Sequence, residues 1–184
     1  MSSLQPKATI LDAAEMHRAI RRMAADLVEQ HGGTQDLLLV GIRTRGVPLA
    51  ERLAAEIENL EGARVSRGTL DITLYRDDLS TIAPQPVVKG THFDQPIDGQ
   101  VVVLCDDVLY TGRTVRAALD ALLDYGRPRA VRLAVLVDRG HRELPIAADV
   151  VGKTVPTSAD EVIEVRFRET DDLEQVMIMT RGGH

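Results

Sequence analysis

The feature that most constrains this chain is the run Val-Val-Val-Leu-Cys-Asp-Asp-Val-Leu-Tyr-Thr-Gly-Arg-Thr at residues 101–114. Val101 to Cys105 is wholly apolar, the mark of a central parallel strand covered on both faces. The strand ends in two adjacent acids, Asp106 and Asp107. A short loop rich in hydroxyls then opens a helix, expected from about Val115 to Tyr125 and closed by Gly126 and Pro128. In an open parallel sheet, ligands sit beyond the carboxyl ends of the strands. The loop Tyr110-Thr111-Gly112-Arg113-Thr114 offers backbone N–H groups, two threonine hydroxyls and the positive end of a helix dipole, which together suit a phosphate monoester. Gly112 lets the backbone approach that phosphate closely. The two acids do not bind phosphate themselves. They accept hydrogen bonds from the hydroxyls of a sugar, and they help to hold Mg²⁺ through water or through the ligand. Phosphate at one end and sugar hydroxyls at the other describe a ribose 5-phosphate. A Walker-type loop, Gly-x-x-x-x-Gly-Lys-Ser/Thr, does not occur in the chain.

The rest of the chain alternates apolar strands with amphipathic helices. A helix is expected from Asp12 to about Gln30, with Asp12 and Glu15 as a capping box and Met16, Ile20, Met23 and Leu27 as its apolar stripe. Leu37 to Ile42 reads as a second buried strand. The turn after it, Gly41-Ile42-Arg43-Thr44-Arg45-Gly46, places two arginines between glycines, which fits N–H groups and guanidinium forks gathered on an anion. A second helix follows, from about Val47 to Ile57. Residues 64–75 read as extended, and the polar stretch from Arg76 to Lys89, with Pro84 and Pro86, reads as a loop or irregular hairpin. Val131 to Val137 is another buried strand. Beyond Arg139 come shorter pieces: extended chain at Asp149–Val151 and alternating strands near Val162–Phe167 and Val176–Met179. This order describes an α/β fold with a central, mostly parallel twisted sheet flanked by helices. Residues 1–184 are expected to form one domain, with a small C-terminal hood made mainly from about 139–180.

Charge and composition narrow the function classes. A net charge of −6 argues against an indiscriminate nucleic-acid coat, while leaving room for a local basic face. The lone cysteine, Cys105, excludes an internal disulfide and lies inside an apolar run. No apolar run approaches the roughly 20 residues that span a bilayer. The first residues lack the cationic start and apolar block of a signal peptide. A cytoplasmic protein is the expectation.

Residues 101–114 resemble the phosphoribosyl pyrophosphate (PRPP) signature of type I phosphoribosyltransferases. The runs Leu70-Asp71-Ile72-Thr73-Leu74-Tyr75-Arg76-Asp77-Asp78-Leu79 and Leu136-Val137-Asp138-Arg139-Gly140-His141-Arg142-Glu143-Leu144-Pro145 resemble the PyrR family, as does Tyr110, where many purine enzymes carry an acid. The resemblance runs from Ile10 to about Glu164. It implies a type I phosphoribosyltransferase fold and uracil phosphoribosyltransferase activity, with Asp106 and Asp107 as catalytic acids and Mg²⁺ carried with PRPP. PRPP or UMP would be held by Thr44, Arg45 and residues Asp106, Asp107, Val108, Leu109, Tyr110, Thr111, Gly112, Arg113 and Thr114. The resemblance implies a pyrophosphate loop at Arg43, Thr44, Arg45 and Gly46, a flexible loop bearing Arg76, and base-framing residues at Arg139 and Val162.

It also implies a regulator that grips a hairpin in pyrimidine operon leader mRNA when UMP or UTP fills the nucleotide site, built as a homodimer or larger assembly. The RNA face would use Arg18, Arg21 and Arg22 on the first helix, with Arg142 and Lys153. Ala25, Gln30 and Ala147 stand where PyrR-like chains commonly carry basic residues, and RNA grip rests largely on such phosphate contacts. Three readings therefore stay open: a bifunctional regulator and enzyme, an enzyme alone, and an RNA regulator that uses the site only to sense nucleotides.

Overall fold

A computed structural model describes residues 3–78 and 89–182. Most of the polar stretch with Pro84 and Pro86 lies outside the described residues. The elements in chain order are β1 (Leu4–Leu11), α1 (Ala13–His31), β2 (Leu37–Ile42), α2 (Gly46–Glu61), β3 (Ser66–Leu70), a 3₁₀ turn (Thr73–Tyr75) and β4 (His92–Phe93). After these come β5 (Val101–Leu109), α3 (Arg113–Leu123), β6 (Ala130–Asp138), β7 (Val150–Thr154), β8 (Glu161–Arg166), α4 (Arg168–Asp171) and β9 (Gln175–Arg181).

The expected parallel sheet is present. Six strands lie in the order β4-β3-β2-β5-β6-β7, all parallel except β4, which runs antiparallel to β3. The apolar run of β2 has a physical reason. Leu37 and Leu39 pack into the core shared with α1 and α2, while Leu38, Val40 and Ile42 pack into the core shared with α3. The same alternation divides Val101, Val103 and Cys105 from Val102 and Leu104 on β5. Helices cover both faces, so neither side of these strands needs a polar residue.

α1 starts as its sequence expects. The Asp12 carboxylate accepts the Glu15 N–H at 2.8 Å, and the Glu15 carboxylate accepts the Asp12 N–H at 2.9 Å. Other boundaries shift. α2 runs on to Glu61 and α3 begins at Arg113. Residues 64–75 are not extended throughout: β3 ends at Leu70, and the Asp71 carboxylate then draws in the Thr73 N–H at 2.9 Å and the Thr73 hydroxyl at 2.5 Å, winding a 3₁₀ turn.

The hood also differs in its limits. β7 pairs parallel with β6 and extends the central sheet, so residues 150–154 are not part of the hood. The hood is instead a three-stranded antiparallel sheet in the order β1-β9-β8, which takes one edge from the N-terminus. β1 carries Pro6, register shifts at Pro6/Ala8 and Thr9/Leu11, and mostly exposed side chains. These are marks of an edge strand that lacks the alternation by which strands are read. Phe167, fully buried, ties the hood to the core shared by α1 and α2.

Replacing Asp12 with Ala removes the carboxylate half of the α1 cap. It should lower stability by about 1 kcal/mol, read from the urea midpoint at unchanged slope.

Candidate active site

β2 and β5 are parallel neighbours, with Gly41 opposite Cys105. The turns that leave them therefore open into one crevice. Their approach is very close. A Cβ placed on Gly46 would stand 2.2 Å from the Cys105 carbonyl oxygen, and one on Gly41 would stand 2.5 Å from the Val47 Cα. Only glycine fits at either position, and the loop at 43–46 consequently lies against the end of β5. Its Arg43–Thr44 peptide is cis.

Asp106 is buried at 8% exposure, and Asp107 beside it is half-buried. Each folds its carboxylate back on the chain: Asp106 accepts the Asp107 N–H and Asp107 accepts the Val108 N–H, both at 2.9 Å. Burial, reinforced by the neighbouring Asp107 carboxylate, pushes the Asp106 carboxyl well above the usual range. Burial raises Asp107 as well, with the Arg45 charge acting in the opposite sense. A buried acid with a half-buried one beside it has a strong electrostatic appetite for hydroxyl donors or a cation.

The loop expected to hold a phosphate leads directly into α3. Gly112 has φ +92° and caps α3. A Cβ there would meet Ile146 at 3.1 Å and Leu144 at 3.4 Å. The Thr111 hydroxyl accepts the Arg113 N–H at 3.3 Å, and Thr114 lies exposed in the first turn of α3. Val108 is half-buried and Leu109 is buried in the core, so Leu109 reaches the crevice only through its backbone. The Arg113 side chain turns outward to Glu143 at 2.7 Å and Asp77 at 2.8 Å, leaving its N–H as its contribution to the loop.

The loop is braced from behind. The Thr111 carbonyl accepts the N–H groups of Glu143 and Leu144. Arg142 donates to the Tyr110 carbonyl at 2.7 Å, the Ile146 carbonyl at 2.8 Å and the Asp138 carboxylate at 2.6 Å. Arg142 was expected on an RNA face; its guanidinium is committed to the back of the phosphate loop.

Of the loop at 43–46, Arg43 donates to the Gly90 carbonyl at 2.9 Å and the Thr69 hydroxyl at 3.3 Å. The Thr44 carbonyl accepts the Val47 N–H at 3.3 Å. Arg45 reaches Asp171 of the hood at 2.8 Å, and its charge is felt at Asp107. Arg76 pairs with Asp78 at 2.7 Å, and its charge is felt at Asp106. Asp71, to which no role was given from sequence, accepts the N–H groups of Lys89 and Gly90 and joins the two ends of the stretch expected to be a flexible loop. Its bond to Thr73 is local, but the two that join the loop ends reach 18 and 19 residues along the chain.

At the other end of the crevice, Arg139 is 5% exposed. It donates to the Thr157 hydroxyl at 3.1 Å and to the carbonyls of Ser158 and Glu161 at 3.2 and 2.7 Å. Its guanidinium carbon stands 3.9 Å from the centre of the half-exposed Tyr110 ring, and His141 meets that ring edge-on at 5.8 Å. Val162 follows Glu161 on β8, paired with Met179. Arg139, Tyr110 and the start of β8 are thereby brought together.

On α1, Arg18, Arg21 and Arg22 line a groove of about 700 Å³ with His17, Glu56 and Leu60. Arg21 lies 3.9 Å from Glu56, and Arg22 donates to the Gly152 carbonyl. Lys153, next to Gly152 on β7, donates to the Ile10 carbonyl at 3.3 Å. Arg18, Arg21 and Arg22 thus share one groove, Lys153 follows the glycine whose carbonyl Arg22 reaches, and Arg142 is engaged with Tyr110, Ile146 and Asp138. Among the described residues no helix is long and apolar enough to cross a membrane.

Two stability measurements test this geometry. Gly46→Ala forces a methyl into the Cys105 carbonyl and should cost about 1–3 kcal/mol in urea unfolding. The Asp106 carboxyl titrates higher in the folded state than in the unfolded chain. The unfolded chain therefore sheds this proton first, and the folded state loses stability as pH rises from about 4 until the folded group also ionises. Asp106→Asn removes that loss. Its urea midpoint at pH 7 should exceed the parent's, and a lower midpoint would contradict the burial.

Residues 7–170 match the family model described as phosphoribosyl transferase domain. A protein of Pelotomaculum thermopropionicum named bifunctional protein PyrR is 59% identical over 173 residues, covering 94% of this chain and 96% of that one. A Thermus thermophilus protein of the same name is 56% identical over 177 residues, covering 96% and 98%. Among solved structures, a hypoxanthine phosphoribosyltransferase of Trypanosoma cruzi in complex with IMP superposes with a TM-score of 0.73 at 15% identity, covering 95% and 94%. A hypoxanthine-guanine phosphoribosyltransferase of Bacillus anthracis gives 0.71 at 17% identity, covering 97% and 99%. The last two show the type I phosphoribosyltransferase fold, and the identity to the first two goes further: this chain belongs to the PyrR family of phosphoribosyltransferases.

Proposed function

We propose that this chain transfers the phosphoribosyl group of PRPP to uracil, giving UMP and pyrophosphate, and that it binds pyrimidine operon leader mRNA when UMP or UTP fills the same site. The observation that carries the enzymatic half is the adjacent Asp106 and Asp107, one buried and one half-buried, between the glycine-capped loop at 110–114 and the loop at 43–46. The N–H groups of residues 111–114 and the hydroxyls of Thr111 and Thr114 hold the 5′-phosphate. Asp106 and Asp107 accept the ribose hydroxyls. The loop at 43–46 faces the pyrophosphate, and Arg76 adds positive charge from the far side. Tyr110, backed by Arg139, and the backbone near Val162 frame uracil, whose few polar edges suit main-chain readers.

In the reaction the bond from ribose C1 to the pyrophosphate oxygen breaks, uracil N1 bonds to C1, and the N1 proton is released. Oxocarbenium-like charge develops on the sugar, and the two carboxylates place negative potential beside it. Among the described residues no group of three or more acids, histidines or cysteines forms a metal cage. Two adjacent carboxylates do fit Mg²⁺, which keeps several waters and binds through one or two acids plus substrate phosphates. Asp106 and Asp107 would hold it, and when bound it offsets the charge of the leaving pyrophosphate.

The regulatory half rests on the groove at Arg18, Arg21 and Arg22 with Lys153 nearby. The protein would work in the cytoplasm as a homodimer or larger assembly. A second reading, an enzyme without RNA binding, is favoured by the net charge of −6 and by two residues of the expected face. Gln30 is engaged with the Asp149 carbonyl at 3.2 Å, and Arg142 has its guanidinium engaged elsewhere.

Asp107→Asn should lower uracil-dependent UMP formation by about a hundredfold or more without unfolding the protein. Unchanged turnover and PRPP affinity would sink the assignment. In filter binding to the leader RNA, each Arg→Gln change at 18, 21 and 22 should reduce the salt slope by about 1 while leaving UMP formation intact. A triple variant that matches the parent at every salt concentration favours the enzyme alone.

A further inference from the structure

We infer that Asp171, in the hood, is a positioning residue for the pyrophosphate end of PRPP: it holds the Arg45 guanidinium in the crevice beside Asp107. The inference rests on reading residues 43–46 as the pyrophosphate loop.

An arginine at the mouth of an anion site has four rotatable bonds and loses much of their freedom when it binds. Arg45 is the residue that caps the start of α2 and is 41% exposed along its side chain, so packing alone does not fix it. Among the described residues its Nε is sealed from solvent without a hydrogen-bond acceptor, and its tether is the 2.8 Å contact from Nη2 to Asp171 Oδ1. That contact uses one of five N–H donors and leaves others for an incoming anion.

Asp171 is built to present a single oxygen. Its Oδ2 accepts the Phe167 N–H at 3.0 Å and the Thr170 hydroxyl at 2.8 Å, which turns Oδ1 toward Arg45. Although burial works against the charged form, the Phe167 amide, the Thr170 hydroxyl and Arg45 together hold the carboxyl below the usual range. It is therefore ionised at neutral pH.

The platform that carries Asp171 is held to the same helix. Arg52, two turns further along α2, donates to Glu169 at 2.8 and 2.7 Å and to Glu174. Its guanidinium carbon also lies 5.1 Å from the centre of the Phe167 ring. Arg45 and Arg52 are seven residues apart and share one face of α2. The hood grips both, one at the site and one behind it. No neighbouring residue in sequence could supply this contact, since positions 45 and 171 lie 126 residues apart.

A carboxylate near a pyrophosphate site also repels the ligand, and the sign of its net effect is measurable. Asp171→Asn keeps an acceptor for Phe167 and Thr170 but turns an amide toward Arg45. The KM for PRPP should rise about tenfold, with the inhibition constant of added pyrophosphate weakened in parallel. The KM for uracil and kcat should stay within about twofold. Arg45→Gln should raise the same two constants, and Asp171→Asn added to it should change them no further, because the contact is already lost. A general loss of structure would instead give additive effects and would move the uracil KM as well.

A fall in the PRPP KM of Asp171→Asn would mean that Asp171 competes with pyrophosphate for Arg45, and would overturn the inference. No change, or additivity with Arg45→Gln, would do the same while leaving the loop assignment standing. An Arg45→Gln variant with unaltered PRPP and pyrophosphate constants would remove both. If Asp171→Asn does not fold, Thr170→Val carries the test. It releases one of the two locks on Oδ2 and keeps the carboxylate, and should raise the PRPP KM about threefold.

Discussion

The whole site depends on how closely two backbones approach. β2 and β5 lie side by side and in register, Gly41 opposite Cys105, and the loops that leave them open into one crevice. For both loops to serve one ligand, the start of α2 must rest on the end of β5. Gly46 allows this, because a Cβ there would stand 2.2 Å from the Cys105 carbonyl oxygen. Leu39 and Val103 below, covered by α1 and α2, keep the strands from separating. The crevice is thus set by packing beneath it, and ligand chemistry is added at its rim.

The rim is an arrangement of charge under strain from burial. Asp106 is taken out of water with Asp107 beside it, which raises both carboxyls and makes the empty site costly. That cost is the counterpart of function: a site that destabilises its own acids gains most when hydroxyl donors and a cation arrive. Around the pair stand arginines with divided duties. Arg142 and Arg139 are buried or half-buried braces, one behind the phosphate loop and one behind Tyr110. Arg45 and Arg76 are more exposed, and their charges are felt at Asp107 and Asp106. The same residue type serves as scaffold or keeps donors to spare according to how many of them the fold has already used.

Long-range ion pairs connect the parts. The hood reaches α2 through Arg45–Asp171 and Arg52–Glu169 and reaches β1 through its own sheet. Asp71 joins the chain on either side of residues 79–88. Arg113 and Arg116 both approach Asp77, linking the start of α3 to the same region. Elements that contribute to a ligand's binding are therefore held to the sheet at several points, each through a charged group near the surface.

What could be read from the amino acids alone was whatever is encoded in neighbouring residues. The apolar run of β5, its two acids and the glycine-capped helix follow one another, so strand, carboxylates and helix start were legible together. The Asp12–Glu15 cap was legible because its partners are three residues apart. The links from Asp171 to Arg45, from Asp71 to residues 89 and 90, and from Arg139 and Arg142 to Tyr110 were not, since they depend on partners brought close only by the fold. β1 escaped notice because an edge strand with Pro6 and exposed side chains carries no alternating pattern. β7 read as part of the hood because a short strand does not say which sheet it joins. Local sequence determined the chemistry available at the end of β5. Tertiary structure decided which distant arginines and acids would meet there, because hydrogen bonds and ion pairs act over a few ångströms and only the folded sheet brings those residues within that range.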